Sequence, residues 1–424
     1  MRFYFFILLS ICWAPAFCQE KNFMLYNPAP VARMDELVIL RKKDLINKIK
    51  GLDDKKYVAI KDVNKQLQSL QFDDLDKDGS WDEVIFLHSF KANEKAVFSI
   101  SIRDEKPKKG LRRAHVRQRR KNADDTFGPN IPNDAIPAGQ LNTNFSKVKL
   151  PPFLTEGPAW ENDMVGFRLY FDIRNGKDIW GKTTKAMMMD TVGVNPAVIY
   201  HNKASWGMDI YKVGSSLSAG ALALSLKLPD GKDSLIRLGG VNMGKVIYEQ
   251  VADGPLRAIF RMHYPEWNFA KGYGPISLTE EISIWGGQYY YQSRIVAENM
   301  PENANLVTGF ANLYGLQASE MNGKHARALY SYGLQSENKD NLGLAIIVPD
   351  QLVKAFKQTT SSEKDIKDSY LVYFQSKKQK IEPTFRFYAC WQASDYRFSD
   401  SAKFNLFLNE QLKLADQPLN LSWK

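Results

Sequence analysis

The sequence predicts an all-β protein, an antiparallel β-sandwich preceded by a smaller β domain. Short segments in which apolar and polar residues alternate recur along most of the 424 residues, whereas helical periodicity is confined to two short stretches. Hydrophobic residues make up 44% of the chain and aromatic residues 12%, which is enough apolar material for one large or two ordinary domains.

The first residues have the pattern of a secretory signal peptide. Arg2 precedes the apolar run Phe3–Ile11, and small residues follow at Ala14 and Ala16. We therefore predict a cleaved peptide over residues 1–18 and a periplasmic or secreted mature protein. No later run is long and apolar enough to predict a membrane span.

The three cysteines predict that the mature chain has no internal disulfide. Cys12 and Cys18 fall within the peptide, so Cys390 is left without a partner. Because Cys390 lies in an aromatic, strand-like run, we expect a buried structural thiol.

The chain divides into two expected domains joined by a linker. Residues 19–103 are predicted to form the smaller β domain, and residues 104–159 a linker that is first basic and then rich in Pro and Asn. Ten Lys and Arg residues against two acids lie between Arg103 and Lys121 and supply most of the net charge of +10. In an exported protein this run fits an acidic polysaccharide or an anionic envelope surface rather than nucleic acid. A solvated linker explains it equally well.

Residues 160–424 are predicted to form the larger β-sandwich. Val165–Ile173 and Leu256–Tyr264 alternate apolar with polar residues, as strands with one buried face do. Gly286-Gly287, between two further strand-like runs, predicts a hairpin. Other strands are expected at Val84–Leu87, Ala96–Ile102, Ala221–Leu228, Leu344–Val348, Tyr370–Phe374 and Phe385–Trp391. The expected helices are Asp350–Phe356 and one that starts near Ser399 and ends before Pro418.

The loop DLDKDGSWD, residues 74–82, matches the first half of a calcium-binding loop. Acidic oxygens fall at positions 1, 3, 5 and 9 and glycine at position 6, but Ile85 stands at position 12, where a bidentate glutamate is expected. A turn whose aspartates accept hydrogen bonds from their own backbone amides is the alternative. The predicted ligands of a structural Ca²⁺ are Asp74, Asp76, Asp78 and Asp82.

The stretch VIYHNKASWGMDIYKVG, residues 198–214, places one of the five histidines among aromatic and basic residues. We expect His201 at the point where a strand opens into a loop, and Trp206 exposed in that loop for stacking on a sugar ring. Sites commonly lie on loops held by a rigid sheet, so His201 is a candidate for proton transfer, with Tyr211 or His263 as its partner. A structural histidine is the alternative.

Two polar strand faces offer fixed cations near a base. Alternation puts Arg168 and Tyr170 on one face and Arg257 with His263 on another, although either set also fits a solvated outer face. A cation that neutralises the carboxylate of a uronic acid lowers the barrier to removing the C5 proton, after which the group at C4 leaves. This chemistry needs no cofactor. The expected substrate-binding residues are Arg168, Tyr170, Trp206, Lys212 and Arg257.

Motifs of other catalytic classes are absent from the sequence. It contains no GxSxG, HExxH, P-loop or Rossmann glycine pattern. Glu280 and Glu281 are adjacent on a predicted strand and therefore point to opposite faces, which does not suit the paired carboxylates of a glycosidase.

Four stretches, in this order, carry a family resemblance. They are QFDDLDKDGSWDE (71–83), AWENDMVGFRLYFD (159–172), WGMDIYKVG (206–214) and DGPLRA (253–258). Together they resemble a family of exported bacterial proteins that was catalogued only as a domain of unknown function and is common in polysaccharide-utilisation loci. The resemblance covers most of the chain, and the stretch 128–152 is longer than the family pattern.

The resemblance implies a galactose-mutarotase-like β-sandwich that acts on carbohydrate. Members are linked to breakdown of the algal polysaccharide ulvan, in which an oligosaccharide dehydratase removes water from a terminal uronic acid and leaves a 4,5-unsaturated sugar. We therefore predict an exported carbon–oxygen lyase, a dehydratase or polysaccharide lyase, whose partner is an acidic oligosaccharide. A non-catalytic carbohydrate-binding protein and a glycoside hydrolase are the alternatives.

Overall fold

A computed structural model describes residues 20–228, 230–376 and 379–424. Over these residues it confirms the all-β prediction: five sheets, whose strands all pair antiparallel, contain most of the regular structure, and only two α-helices accompany them. The predicted signal peptide, residues 1–18, lies outside the described residues. None of the helices in the described part is long and apolar enough to cross a membrane.

The N-terminal unit consists of two small sheets around one apolar core. Its elements are β1 (Lys21–Tyr26), β2 (Arg33–Arg41), α1 (Lys42–Ile46), β3 (Tyr57–Asp62), β4 (Gln71–Asp73), β5 (Glu83–Phe90) and β6 (Lys95–Arg103). One sheet has the order β2–β5–β4, and the other contains β1, β6 and β3. Phe23, Phe86 and Phe98 pack between them, with Phe98 within 5.4 Å of both other rings.

The larger unit contains the remaining elements. They are β7 (Ala114–Arg117), β8 (Asn133–Ile136), β9 (Ala159–Asn162), β10 (Val165–Leu169), β11 (Lys177–Lys182), β12 (Gly207–Asp209), β13 (Ala219–Lys227), β14 (Asp233–Arg237), β15 (Val246–Asp253), β16 (Arg257–Trp267), β17 (Ile276–Trp285), β18 (Tyr290–Glu298), β19 (Ala304–Ala311), β20 (Ser319–Asn322), β21 (Ala326–Leu334), β22 (Asn341–Pro349), β23 (Val353–Thr359), β24 (Ser369–Phe374), β25 (Thr384–Trp391), α2 (Ser401–Asp416) and β26 (Asn420–Trp423). The last of these returns to the N-terminal unit, where β26 pairs with β1.

Three sheets of the larger unit share one apolar core. A nine-stranded sheet has the order β20–β21–β22–β25–β18–β17–β16–β15–β8, and two five-stranded sheets have the orders β14–β13–β19–β24–β23 and β12–β11–β10–β9–β7. Trp160 of β9 packs on Phe260 and Tyr291 of the large sheet at 5.0 and 5.5 Å between ring centres. Helix α2 covers the opposite face of that sheet through Phe404, Phe407, Leu408 and Leu412.

Several local predictions are confirmed. The Gly286-Gly287 pair joins β17 to β18 in an antiparallel hairpin. The C-terminal helix begins after Asp400, whose side chain accepts a hydrogen bond from the backbone N–H of Lys403 and so caps the helix. Cys390 is a buried free thiol.

Other local predictions are wrong. The helix expected at Asp350–Phe356 is a single 3₁₀ turn, Asp350–Leu352, followed by β23. The expected linker contains β7 and β8, and β7 is buried along its whole length. The strand expected over Val165–Ile173 ends at Leu169, and both of its faces are buried. Val165, Phe167 and Leu169 face the core shared with the large sheet, and the turns that contain Met189 and Tyr200 cover the other face.

Candidate functional site

A buried arginine is the centre of the charged cluster nearest to His201. Arg168 of β10 is 2% exposed. Its Nη2 donates to Asp178 at 2.7 Å and to Asp209 at 2.8 Å, and its Nε donates to Asp178 at 3.2 Å. The Tyr170 hydroxyl donates to the same Asp178 oxygen at 2.7 Å. One guanidinium therefore joins two carboxylates that lie on different strands.

Strand pairing assembles this cluster. In the register of β10 with β11, Arg168 lies opposite Asp178, and β12 places Asp209 opposite Trp180. Gly207, at φ +130°, allows β12 to approach, because a Cβ there would lie 1.8 Å from the Gly181 carbonyl oxygen. The close pairing of β11 with β12 thus depends on a residue without a side chain.

Three aromatic rings surround the Arg168 guanidinium. Its central carbon lies 4.7 Å from the ring centre of Tyr170, 5.0 Å from Trp180 and 5.5 Å from Tyr200. These contacts stabilise a cation away from water. Although burial alone would lower the pKa of Arg168, the surrounding acids and tyrosines raise it well above its ordinary value, so the group stays charged.

His201 lies at the solvent side of the cluster. Its side chain is 59% exposed, and its Nδ1 lies 3.3 Å from Asp209 Oδ2. Partial burial lowers the pKa of His201, and the positive charge of Arg168 lowers it further. The imidazole is therefore neutral at pH 7 and carries an available lone pair, as a general base requires.

The carboxyl group of Asp209 has a higher pKa than that of an ordinary aspartate. Burial raises the pKa of its carboxyl group well above the usual value, and the charge of Asp178 acts in the same direction. Because Asp209 also contacts His201, a proton that arrives on the imidazole has a carboxyl partner beside it. The pair is thus arranged to hold and move one proton.

A second ion-pair group borders the cluster. Arg174, whose side chain is 35% exposed, donates to Glu156 at 2.6 Å and to Asp172, and it stacks on Tyr170 at 3.9 Å. Glu156 also lies 3.6 Å from Arg168. Arg174 is the part of this group that remains partly accessible to solvent.

The backbone at Glu156 is held in an unfavourable conformation. Thr155 and Glu156 have φ values of 48° and 67°, the left-handed region that non-glycine residues seldom adopt. The fully buried Arg117 donates to the carbonyls of Leu154 and Gly157 at 2.9 Å each and to the Thr155 hydroxyl at 2.7 Å. Strained backbone held by its surroundings is common at functional sites, and here it directs Glu156 toward both arginines.

The predicted residues of the 198–214 stretch are only partly brought together. The strand expected before His201 is a series of turns, and Trp206, expected to be exposed, is buried against Trp180. Tyr211 is in the core, where its hydroxyl donates to the Ser218 carbonyl and burial raises its pKa. Lys212 is exposed. The predicted partnership of Tyr211 with His201 is therefore not formed.

The other two predicted residues lie elsewhere, which corrects the expectation of one shared pocket. Arg257 is buried at the junction with the N-terminal unit, where it pairs with Asp73 and Glu83. His263 lies on the outer part of β16 and pairs with Glu249 at 2.8 Å. Alternation along a strand identifies a face, but it does not indicate which element will cover that face.

Sequence reasoning missed four residues of the cluster. No motif marked Asp178, Asp209, Glu156 or Arg174 as a site residue. For Asp209 the available signal was a single charged residue within an otherwise apolar run, between Met208 and Ile210. Asp178 directly follows Lys177 in a polar stretch and carries no such signal.

The acidic loop has the geometry of a cation site. Asp74, Asp76 and Asp78 each offer an oxygen within 4.8 Å of the others, and Asp74 Oδ1 is buried without a hydrogen-bond partner among the described residues. The aspartates of this loop also accept hydrogen bonds from its backbone: Gly79 N–H donates to Asp74, and Leu75 N–H donates to Asp82. The residues present therefore fit Ca²⁺, with turn-type hydrogen bonds beside it.

Several of the ten cations in the basic run form buried or paired contacts. Arg113 pairs with Asp35 and Asp163, Arg117 is buried, and Arg120 pairs with Asp134. Arg113 joins the two units through Asp35, whereas Arg117 and Arg120 hold elements together within the larger unit. This part of the run is therefore not a solvated linker.

Comparisons with known proteins show the family and the fold. An alpha-mannosidase from Enterococcus faecalis V583 superposes over 96% of this chain and 46% of its own, with a TM-score of 0.50 and 9% identity. A glycosyl hydrolase family 38 protein from the same species covers 96% and 47%, with a TM-score of 0.45 and 8% identity. The chain spans less than half the length of either protein, so the first likeness describes the fold alone. No match was found among curated proteins. The family described as "Domain of unknown function (DUF4861)" matches residues 25–421, and the chain therefore belongs to that family.

Proposed function

We propose that the protein is an exported carbohydrate-active enzyme, a carbon–oxygen lyase that acts on uronic-acid-containing oligosaccharides such as those of ulvan. The reaction is a β-elimination at a saturated uronic acid, with water or a sugar as the leaving group and a 4,5-unsaturated sugar as the product. The fold likeness to a mannosidase supports a carbohydrate substrate, and the family resemblance supports the elimination.

One observation carries this proposal: a half-exposed, neutral imidazole contacts a buried carboxyl group that shares Arg168 with a second carboxylate. An exposed base in contact with a group of raised pKa is suited to proton transfer near neutral pH. A protein that only bound sugars would not need this arrangement.

The geometry assigns a role to each group. His201 takes the C5 proton on its free ring nitrogen, and Asp209 orients the imidazole through the 3.3 Å contact with Nδ1. The electron pair of the C5–H bond forms the C4=C5 double bond, and the C4 oxygen leaves with a proton from the hydroxyl of Tyr200. That hydroxyl accepts a hydrogen bond from Arg168 at 3.3 Å.

The substrate carboxylate requires a cation, and Arg174 is in the better position to provide it. The donors of Arg168 are directed at Asp178 and Asp209, so Arg168 positions the cluster instead of contacting substrate. Arg174 retains an accessible side next to Tyr170. Neutralising the uronate there makes the C5 proton more acidic.

A glycoside hydrolase is the second candidate, and the two buried carboxylates favour it. Asp178 and Asp209 share one guanidinium, and the raised pKa of Asp209 is what a general acid needs. A hydrolase would release reducing sugar without forming a double bond.

The test is incubation of the full chain with a uronate-terminated oligosaccharide, followed by ultraviolet absorbance of the conjugated double bond and a reducing-sugar assay. We expect absorbance to rise with the wild-type chain and not with His201→Ala. His263→Ala is the matched control, because it removes a partly exposed histidine that lies outside the cluster, and its activity should match wild type. Release of reducing sugar without a rise in absorbance would contradict the lyase proposal and support the glycoside hydrolase.

We also propose that the acidic loop holds a structural Ca²⁺ through Asp74, Asp76 and Asp78, with Asp82 as a further ligand. The ion would neutralise three neighbouring carboxylates and take no part in the elimination. The buried, unpartnered Asp74 oxygen supports this role.

A further inference from the structure

The outer face of the nine-stranded sheet carries a cavity that the proposed reaction does not use. Its volume is about 440 Å³, within the range of small-molecule sites. Ile347, Pro349 and Pro418 form part of its apolar wall, and Gln292, Gln351 and Thr384 form part of its polar wall. None of these residues belongs to the Arg168 cluster.

The cavity contains an arginine without an ion-pair partner among the described residues. Arg386 of β25 donates from Nε to Gln292 at 3.4 Å, and its guanidinium lies 4.9 Å from the ring centre of Tyr290 and interacts with the Tyr388 hydroxyl. Glu36 contributes to its electrostatic surroundings but is itself paired with a neighbouring arginine at 3.3 Å. Because a guanidinium has five N–H donors, most of the donors of Arg386 remain available.

The acid in the cavity wall does not neutralise this cation. Asp416, at the end of α2, accepts the backbone N–H groups of Lys324 and His325, one on each carboxylate oxygen and both at 2.7 Å. Those bonds connect the helix to the turn before β21. The charge of Arg386 is therefore left for a ligand.

The sheet register places the polar groups around Arg386. Gln292 of β18 lies opposite Arg386 on one side, and Ile347 of β22 lies opposite it on the other. The three side chains share the outer face, so a ligand that contacts the guanidinium also meets an amide on one side and an apolar surface on the other.

We propose that this cavity is a second, non-catalytic site that binds a sugar acid, with the ligand carboxylate on Arg386. Guanidinium and carboxylate form two parallel hydrogen bonds, which favours a carboxylate over a neutral sugar. The amides of Gln292 and Gln351 and the Thr384 hydroxyl suit ring hydroxyl groups, and Ile347 and Pro349 suit the apolar face of a sugar ring. A carboxylate, several hydroxyl groups and one apolar face are the features of a uronic acid.

The test is isothermal titration of the full chain with glucuronate and, separately, with glucose. Because His201→Ala leaves this cavity unchanged, that variant should still bind glucuronate even if the proposed lyase activity is lost. Arg386→Gln should weaken glucuronate binding about tenfold or more in the His201→Ala background. Arg294→Gln is the matched control, since Arg294 is 60% exposed on β18, pairs with Glu382 and lies outside the cavity wall.

Loss of Arg386 also removes its stacking on Tyr290, so a variant with milder consequences is needed. Gln351→Ala removes an exposed wall residue that lies outside the sheet, and it should weaken binding about threefold. The proposal is overturned if glucose binds as tightly as glucuronate. It is also overturned if Arg386→Gln and Gln351→Ala both bind glucuronate like the Arg294→Gln control.

Discussion

A buried ion pair beside the segment 188–206, which carries His201, gives a direct test of what stabilises this site. Lys182 of β11 and Glu161 of β9 are both fully buried, with 2.5 Å between Nζ and Oε2. Lys182 also donates to the Asn162 carbonyl at 2.6 Å. The second carboxylate oxygen of Glu161 accepts the backbone N–H groups of Met188 and Met189 at 2.6 and 2.7 Å. Glu161 therefore connects the sheet to the start of the segment that carries His201.

Lys182→Met should be strongly destabilising, because it leaves the Glu161 carboxylate buried without a cation. Breaking a buried pair by removing one partner costs about 3–5 kcal/mol, whereas replacing both partners is often close to neutral. In the double variant Glu161→Gln/Lys182→Met, the glutamine carbonyl can still accept hydrogen bonds from Met188 and Met189. We therefore expect the double variant to recover at least about 2 kcal/mol of the free energy of unfolding.

The assay is urea unfolding followed by tryptophan fluorescence and circular dichroism on the wild type, both single variants and the double variant. Lys403→Met is a control of the same chemistry on α2, where solvent screens the pair with Asp400 and its loss should change stability little. The reasoning is refuted if Lys182→Met loses no more stability than Lys403→Met, or if the double variant is less stable than Lys182→Met.

Three further predictions concern pH and metal. Because the pKa of His201 is lowered, kcat/KM should be flat around pH 7 and fall only when the pH drops below the ordinary histidine value of about 6.5; a fall that begins above pH 7 would contradict the role of base. Two flanking carboxylates outweigh the effect of burial and raise the pKa of His115 to about 9, so its contribution to stability is complete below about pH 6.5 and is lost as the pH rises through 9. The free energy of unfolding should fall by about 1–2 kcal/mol over this pH range, because one carboxylate is half-exposed and Arg112 lies 2.8 Å from the ring. His115→Gln should abolish this pH dependence of the free energy of unfolding. Adding Ca²⁺ should raise the Tm of the wild type by several degrees and that of Asp78→Asn by less, and equal shifts would exclude the acidic loop as the site.

The fold was predictable because it depends on local patterns. Alternation over Leu256–Tyr264, the Gly286-Gly287 turn and the amphipathic run before Pro418 are properties of adjacent residues, and β16, the β17–β18 hairpin and α2 follow from them. The helix expected at Asp350–Phe356 failed because β23 pairs with β24 over Val353–Thr359, and strand pairing overrides a short local preference.

The candidate site was less predictable because it depends on which strands become neighbours. His201 and Arg168 were identified from their residue types, but the carboxylates that join them, Asp178 and Asp209, come from β11 and β12. Tyr211 was misjudged for the complementary reason. Its hydroxyl is satisfied by backbone groups of Ser218 and Ala311, which the local sequence does not indicate.

The four family-like stretches meet in two pairs in the folded chain. The stretches 71–83 and 253–258 meet at the junction of the two units, where the Gln71 side chain bonds the backbone of residues 256 and 257 and Arg257 pairs with Asp73 and Glu83. The stretches 159–172 and 206–214 meet at Arg168 and Asp209. The first pair joins the units and the second forms the charged cluster beside His201. Substitutions in the first pair should therefore lower the free energy of unfolding in the urea experiment. Asp209→Asn removes a buried partner of Arg168 and a neighbour of His201, so it should lower both the free energy of unfolding and the turnover in the absorbance assay.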